Sequence, residues 1–382
     1  MYIKNKLKFF QALSVFVGSV VGVGIFGLPY ITSKAGFPVM LFYFLILSVV
    51  SVSIHLLFAE IILGTEKDYR FPGYVGKYLG PKWKTISFIS MWLGLTGALL
   101  AYLLVGGEFL RLLFASFVKV SLIPFENSII PVTLFFIAGA IVIFKGIKTF
   151  SRLELPIFIG FFAILIIFFK NAFPYINFGY FKTVDLNFFF FPYGAVLFSL
   201  WGAAIIPEIK DLTGNNQNLL RKVIIYGFLI AAVTYIFFIF TVFGATGPNT
   251  SEEAIAGLVG ILGPSVIVLG LIFGIINCFD SFVGLGLSLK NIFMHDLGFS
   301  KNFSWLIACF FPFLLYLAGV KEFIKIISLT GVFAIGTTGI ITVFLYKKFL
   351  ENKGTRMNPV LYGLSLFLII GIVIEIIYFF FK

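Results

Sequence analysis

The sequence predicts an all-helical, polytopic membrane protein, and three observations carry that reading. Of its 382 residues 60% are hydrophobic and only 12% charged, whereas a soluble protein keeps about a quarter of its residues charged. Eleven apolar runs are each long enough to cross the roughly 30 Å of a bilayer's hydrocarbon core. Two of those runs are interrupted by glycine and proline at matching depth, where a spanning helix is expected to break.

The first run, 9–31, holds Gly22, Val23, Gly24, Ile25, Phe26 and Gly27, followed by Pro29. Three glycines and a proline free backbone groups that lipid cannot satisfy, so the break must be buried in protein or line a watery cavity. The letters also read G-x-G-x-x-G. A dinucleotide site, however, needs a preceding soluble strand and an acid about 20 residues on. Phe42, Tyr43, Phe44 and Leu45 stand there instead, which rejects the cofactor reading.

Runs 39–63, 85–113, 129–145 and 153–170 read as unbroken spans. The sixth, 189–209, repeats the peculiarity of the first: Pro192, Tyr193 and Gly194, then Phe198 to Ala204, then Pro207 and Glu208. Runs 222–244, 264–290, 303–319, 324–346 and 358–380 complete the set.

Charge placement orients the chain. With the N-terminus inside, 20 of the 28 Lys and Arg fall in the inner segments 1–8, 64–84, 145–152, 210–222, 290–301 and 347–356. Lys34, Lys119, Lys170 and Lys182 are among the eight outside. That split follows the positive-inside rule. The net charge of +12 is therefore topology and attraction to the bilayer surface, with no nucleic-acid partner implied. An integral, multi-pass protein of the plasma (inner) membrane with a cytoplasmic N-terminus is expected. The basic start, Met1 to Lys8, precedes an apolar stretch without a small-residue cleavage site, so it opens a span and is not a removed signal. Cys278 and Cys309 both fall within runs, which leaves no disulfide framework.

Gly24 and Gly202 lie 178 positions apart, and the starts of the third and eighth runs, at 85 and 264, lie 179 apart. The agreement predicts a single transporter domain, 1–382, built from two five-span repeats over about 9–170 and 189–346, with an extra span at about 358–380. Five is odd, so the second repeat enters from the opposite side and the two are inverted. Interrupted spans at paired positions of inverted repeats mark a transporter's binding site.

The motifs resemble those of the amino acid–polyamine–organocation superfamily, most nearly its amino acid/auxin and hydroxy/aromatic amino acid permease branches. Gly18 to Tyr30 is similar to their glycine-rich first helix ending in Leu-Pro. Leu197 to Pro207 is similar to their Phe-Ser-Phe…Ile-Pro segment. Ser281 to Gly284, with Asp296, Leu297 and Gly298 following, is similar to their Ser-Phe-Leu-Gly…Asp segment. The likeness runs from about Phe9 to Phe349. It implies a LeuT-type fold, with two inverted five-helix repeats whose first and sixth helices are broken. It also implies transport of a neutral or aromatic amino acid. Trp201 departs from the smaller or different aromatic residue common in those branches, and Asp280 from their usual Thr or Ser.

An amino acid brings a carboxylate and an ammonium, both costly in a low-dielectric core unless paired. A half-helix N-terminus offers free N–H groups and its positive dipole end to the carboxylate, while free carbonyls at the opposing C-terminus suit the ammonium. Gly22, Val23 and Gly24 are assigned to the carboxylate through their backbone. The resemblance adds Ser199, Trp201 and Gly202 around the ammonium and side chain. Trp201 is read either as a gate over substrate or as interior packing. Tyr102 is a further candidate to meet the carboxylate, although 19% of the chain is aromatic and chance places many such rings.

In the eighth run Asn277, Asp280, Ser281, Gly284 and Ser288 recur at helical spacing and form one polar stripe, which must face the bundle interior. An ionisable group inside a membrane is a functional candidate by default. Asp280, with Ser281 and Asn277, is expected to handle the coupling ion: Asp280 either carries the coupled proton or supplies a carboxylate to Na⁺. No other cofactor or metal is implied. Among the other polar residues, Glu60 is expected to snorkel or pair with a loop lysine, and Glu108 with Arg111 to form a local ion pair. His55 reads as structural, Glu375 has no assigned role, and the segment Glu66 to Arg70 reads as a solvated face.

An enzyme is disfavoured, since the histidines, His55 and His295, are isolated and no catalytic cluster accompanies them. The leading expectation is an ion-coupled symporter importing an amino acid by alternating access. A membrane amino acid sensor on the same scaffold, or a transporter of another small organic solute, stands as the alternative.

Overall fold

The computed structural model describes residues 2–117, 129–146 and 154–381. Lys119, Lys148, Arg152 and Lys382, counted above for topology, lie outside them, as do the side chains of His295 and Asp296. All regular structure among the described residues is helical. Seven helices are long and apolar enough to span a bilayer, one further span is a bent pair, and three more apolar helices are shorter, at Ile129–Lys145, Ile159–Tyr175 and Lys301–Leu317. Together they match the eleven runs.

The first span is α1 (Tyr2–Val20) and α2 (Gly24–Ala35), with the axis bent by 52° between them. The second is α3 (Phe37–Leu63). A short α4 (Phe71–Leu79) leads to α5 (Pro81–Phe117), then α6 (Ile129–Lys145) and α7 (Glu154–Ala172). The sixth span breaks between α8 (Pro192–Ser199) and α9 (Ile206–Thr213), with one 3-10 turn, Ala203–Ile205, between them. α10 (Gln217–Thr246), a four-residue α11 (Ile255–Leu258), α12 (Pro264–Asp296) and α13 (Lys301–Leu317) follow. The tenth span is α14 (Phe323–Leu329) and α15 (Gly336–Asn352), joined by a π-helical segment at Thr330–Ile335, and α16 (Tyr362–Phe381) closes the chain.

The breaks lie where glycine lets two backbones meet. A Cβ on Gly22 would overlap the Tyr102 hydroxyl, and one on Gly24 would overlap the Ser199 hydroxyl, so only glycine permits α2 to sit this close to α5 and α8. Pro207 occupies the first turn of α9, where its missing N–H costs nothing. The π segment of the tenth span approaches α8 so closely that a Cβ on Gly331 would overlap the Gly194 carbonyl. Such π insertions concentrate at functional sites.

Around the broken pair the intact helices form a scaffold: α5 packs along α12, α1 along α10, and α10 along α3. The core between them is dense in aromatic rings. Phe136 stacks on Phe313 at 4.2 Å and Phe181 on Phe240 at 4.6 Å, contacts worth about 0.5–1.5 kcal/mol each beyond the area they bury.

Candidate functional site

Three side chains from the scaffold replace the hydrogen bonds that the broken helices lose. On α5 the Tyr102 hydroxyl accepts from the Val23 N–H at 3.1 Å, at the start of α2. On α3 His55 Nε2 accepts from the Gly202 N–H at 3.0 Å, inside the break of the sixth span. On α10 the Tyr235 hydroxyl lies 2.7 Å from the Val20 carbonyl and 2.8 Å from the Ser199 carbonyl, the last turns of α1 and α8. One O–H hydrogen serves both acceptors. The Val20 carbonyl also accepts from the Gly22 N–H at 2.8 Å, whereas the Ser199 carbonyl keeps lone-pair capacity for a second donor.

Free carbonyls at a half-helix C-terminus were expected to meet the ammonium. The structure adds Tyr235, which ties the two half-helix C-termini together and which no sequence pattern singled out. A tyrosine inside an otherwise apolar run was the signal available, diluted among 16 tyrosines and 53 phenylalanines.

All seven residues assigned to substrate line one cavity: Gly22, Val23, Gly24, Tyr102, Ser199, Trp201 and Gly202. It encloses about 1150 Å³ of empty space, the open solvent at its mouth included. Phe58, Phe71, Met91, Leu95 and Phe198 supply apolar walls. Of the three backbone groups expected to reach the carboxylate, the Val23 N–H is engaged by Tyr102 and the Gly22 N–H by the Val20 carbonyl at 2.8 Å, so the Tyr102 hydroxyl stands between the break and the cavity. Trp201 faces the cavity, and its ring meets His55 edge-on at 4.8 Å.

The other three candidates line a second cavity on the far side of α1. Asn277, Asp280, Ser281, Gly284 and Ser288 all face it, so the stripe on α12 does turn inward. The Asn277 amide nitrogen is buried with no hydrogen-bond partner, and Asp280 has no ion pair, among the described residues. The two cavities share Ser19, Tyr102, Ala204, Leu285 and Ser288. Tyr102 thus borders both.

Both cavities run toward the face that carries the basic loops, since Arg70 and Phe71 line the first and Ser14 and Glu208 the second. Toward the other face the way is packed. Phe26 meets Phe109 at 4.8 Å and Phe238 at 6.1 Å, and Gly27 lies against Phe323, Ile324 and Ile327.

Several expectations need correction. The segment Glu66 to Arg70 is docked and not simply solvated: Asp68 pairs with Lys210 at 2.5 Å and Arg70 with Glu208 at 2.7 Å, which latches it to α9. Their partners lie about 140 residues away, beyond any local pattern. Of the two expectations for Glu60, the lysine pair is not formed among the described residues; its carboxylate accepts from the Tyr346 hydroxyl at 3.0 Å. Glu108 and Arg111 form the expected local, two-pronged pair at 2.5 and 2.8 Å. His55 is fully buried and structural in its bonding. Glu375, 1% exposed, faces the interior near Tyr43 and Tyr193.

Comparison with known proteins agrees with this geometry. The family model for the tryptophan/tyrosine permease family matches residues 5–381, nearly the whole chain. The chain belongs to that family. The permease also superposes on the crystal structure of MhsT in complex with L-phenylalanine, with a TM-score of 0.69 at 16% identity, covering 97% of this chain and 98% of that one. None of the curated proteins matches it. The architecture is therefore the LeuT-type fold, and the permease is an integral, multi-pass membrane transporter of the amino acid class, not an enzyme.

Proposed function

We propose that the permease is an ion-coupled symporter that imports an aromatic amino acid by alternating access. The observation that carries this reading is the pairing of two helix breaks around one aromatic-walled cavity. The Tyr102 hydroxyl at the start of α2 faces it to meet a carboxylate, and the Ser199 carbonyl at the end of α8 keeps a lone pair for an ammonium. The family's name and the phenylalanine bound to MhsT support an aromatic side chain.

In this reading the Tyr102 hydroxyl and the backbone of Gly24 bind the carboxylate, while Gly22 and Val23, whose N–H groups are held by the Val20 carbonyl and Tyr102, shape the break around it. Ser199 and Gly202 frame the ammonium, and Trp201 covers the side chain. Asp280 holds the coupling ion, with Ser281 and Asn277 beside it. A lone carboxylate without a basic partner favours a proton, which neutralises it outright. The adjoining oxygens of Ser281, Asn277 and Ser288 supply the observation that favours sodium, a hard cation that takes oxygen ligands.

The basic face is the cytoplasmic one by the positive-inside rule. The conformation described is then inward-facing: cavities open below, aromatic packing closed above. Extracellular substrate enters when α2 and α8 part from the α14 side and leaves past α1 and α9.

The test is uptake of labelled tryptophan, tyrosine and phenylalanine by purified permease in liposomes, under an imposed proton gradient and separately a sodium gradient. Accumulation above the no-gradient control with one ion supports the symporter and names the ion. Binding without accumulation under either gradient would move the weight to an amino acid sensor.

A further inference from the structure

His55 is a buried polar side chain that the transport reading leaves unused. It sits on α3, outside both broken spans, and is fully buried. Nδ1 lies 2.6 Å from the Ser51 carbonyl, and Nε2 lies 3.0 Å from the Gly202 nitrogen. A carbonyl only accepts and an N–H only donates, so a single assignment satisfies both contacts: hydrogen on Nδ1, lone pair on Nε2. The imidazole is held as one neutral tautomer.

The ring also packs edge-on against Trp201 at 4.8 Å and against Phe228 of α10 at 4.8 Å. Trp201 lines the substrate cavity, and the far edge of its indole lies near Gly339 of α15. One imidazole therefore holds both the backbone of the break and one face of the ring beside it.

We propose that His55 is a positioning residue that sets the pose of Trp201 and thereby the permease's discrimination among aromatic side chains. Gly202 follows Trp201 directly. Its N–H, freed where α8 ends, has no helical acceptor, and an unpaired buried donor would draw the peptide toward another partner. Nε2 removes that alternative and fixes the Trp201–Gly202 peptide plane. The same ring blocks rotation of the indole toward α3. The indole is left with one pose, and the cavity with one width. This inference rests on the proposed transport of aromatic amino acids.

The experiment compares His55→Asn, His55→Gln and His55→Leu with the wild-type permease in liposomes, reading kcat and KM for tryptophan, tyrosine and phenylalanine. Asn is too short to reach Gly202. Gln places a carbonyl oxygen near the position of Nε2 and can accept the N–H. The expected result for Asn and Leu is a change of about tenfold in the ratio of KM values between tryptophan and phenylalanine, the size of one buried hydrogen bond. Gln should return most of that change. In a Trp201→Phe background the His55 substitutions should leave the ratio where Trp201→Phe alone puts it, because the effect passes through the indole.

Unchanged KM ratios in His55→Asn and His55→Leu would overturn the inference. So would an equal loss for all three substrates that Gln does not restore, since that is damage to the fold alone. A second reading needs no transport. With Trp83, Trp92 and Trp305 replaced by Phe, the emission of Trp201 should shift in His55→Asn and return in His55→Gln. No shift overturns the inference even if the wild-type permease carries no aromatic amino acid, a result that on its own sinks only the transport reading.

Discussion

Gly24 shows most directly how single atoms set this site. A Cβ there would overlap the Ser199 hydroxyl, with the Ser199 Cβ next at 3.0 Å. Gly24→Ala should cut uptake at least about tenfold, as expected of overpacking at a close backbone approach. Ser199→Ala in the same chain removes the overlapping oxygen and should recover part of the loss. No recovery would mean that the backbone itself, and not that contact, needs glycine. Asp280 makes a different kind of prediction. If it holds the coupling ion, Asp280→Asn abolishes gradient-driven accumulation but leaves exchange of labelled for unlabelled substrate within about threefold of wild type, because exchange needs no net ion release. Accumulation at the wild-type level in Asp280→Asn would remove Asp280 from the coupling mechanism.

Among the elements, α8 and the π segment at Thr330–Ile335 meet backbone to backbone at Gly194 and Gly331, so neither partner can rotate away from an added methyl. Gly331→Ala should lower stability by about 2–3 kcal/mol, read as a drop in unfolding temperature in detergent. A stability within 0.5 kcal/mol of wild type, about the scatter of ordinary surface changes, would show that the pair can part at little cost. The latch between the Glu66–Arg70 segment and α9 behaves otherwise. Arg70 and Glu208 are 40% and 41% exposed in their side chains, and such pairs contribute about 1 kcal/mol at most. Arg70→Gln should hardly move the unfolding temperature. It should instead quicken labelling of a Ser19→Cys probe from the basic face, since Arg70 lines the mouth of the cavity that Ser19 borders. Unchanged labelling would remove the latch from any gating role.

At the level of the whole molecule, the face opposite the basic loops closes over the site and carries its own acid cluster. Glu253, in the loop before α11, is pushed up to about 7 from an ordinary 4.5, first by burial and then by the carboxylates of Glu108 and Glu252. Its folded pKa lies above its unfolded one, so the folded state holds the proton more tightly. The stabilisation from Glu253 is full at pH below about 4.5 and fades as pH climbs toward about 7. The unfolding temperature of the wild-type permease should therefore fall between those values, and more steeply than that of Glu253→Gln, whose amide cannot titrate. Parallel profiles would mean that Glu253 is solvated in both states.

Much of this architecture was legible in the sequence, because lipid makes the rules strict. A spanning segment must satisfy its own backbone, so eleven apolar runs became eleven helical spans, and glycine-rich interruptions could only be breaks facing protein or water. Helical spacing likewise put Asn277, Asp280, Ser281, Gly284 and Ser288 on one inward stripe, since 3.6 residues per turn is a property of the chain alone. Which side chains complete the breaks was settled by packing between helices far apart in sequence. His55 reaches Gly202 across 147 positions and Tyr235 reaches Val20 across 215. No periodicity records such a pairing, because a histidine or tyrosine in an apolar run looks the same whether it caps a neighbour's backbone or fills space. The latch of Asp68 and Arg70 onto α9, and the division of substrate and ion candidates between cavities on opposite sides of α1, arise the same way. They depend on where the folded helices bring each other's unsatisfied groups, and only the assembled bundle fixes that.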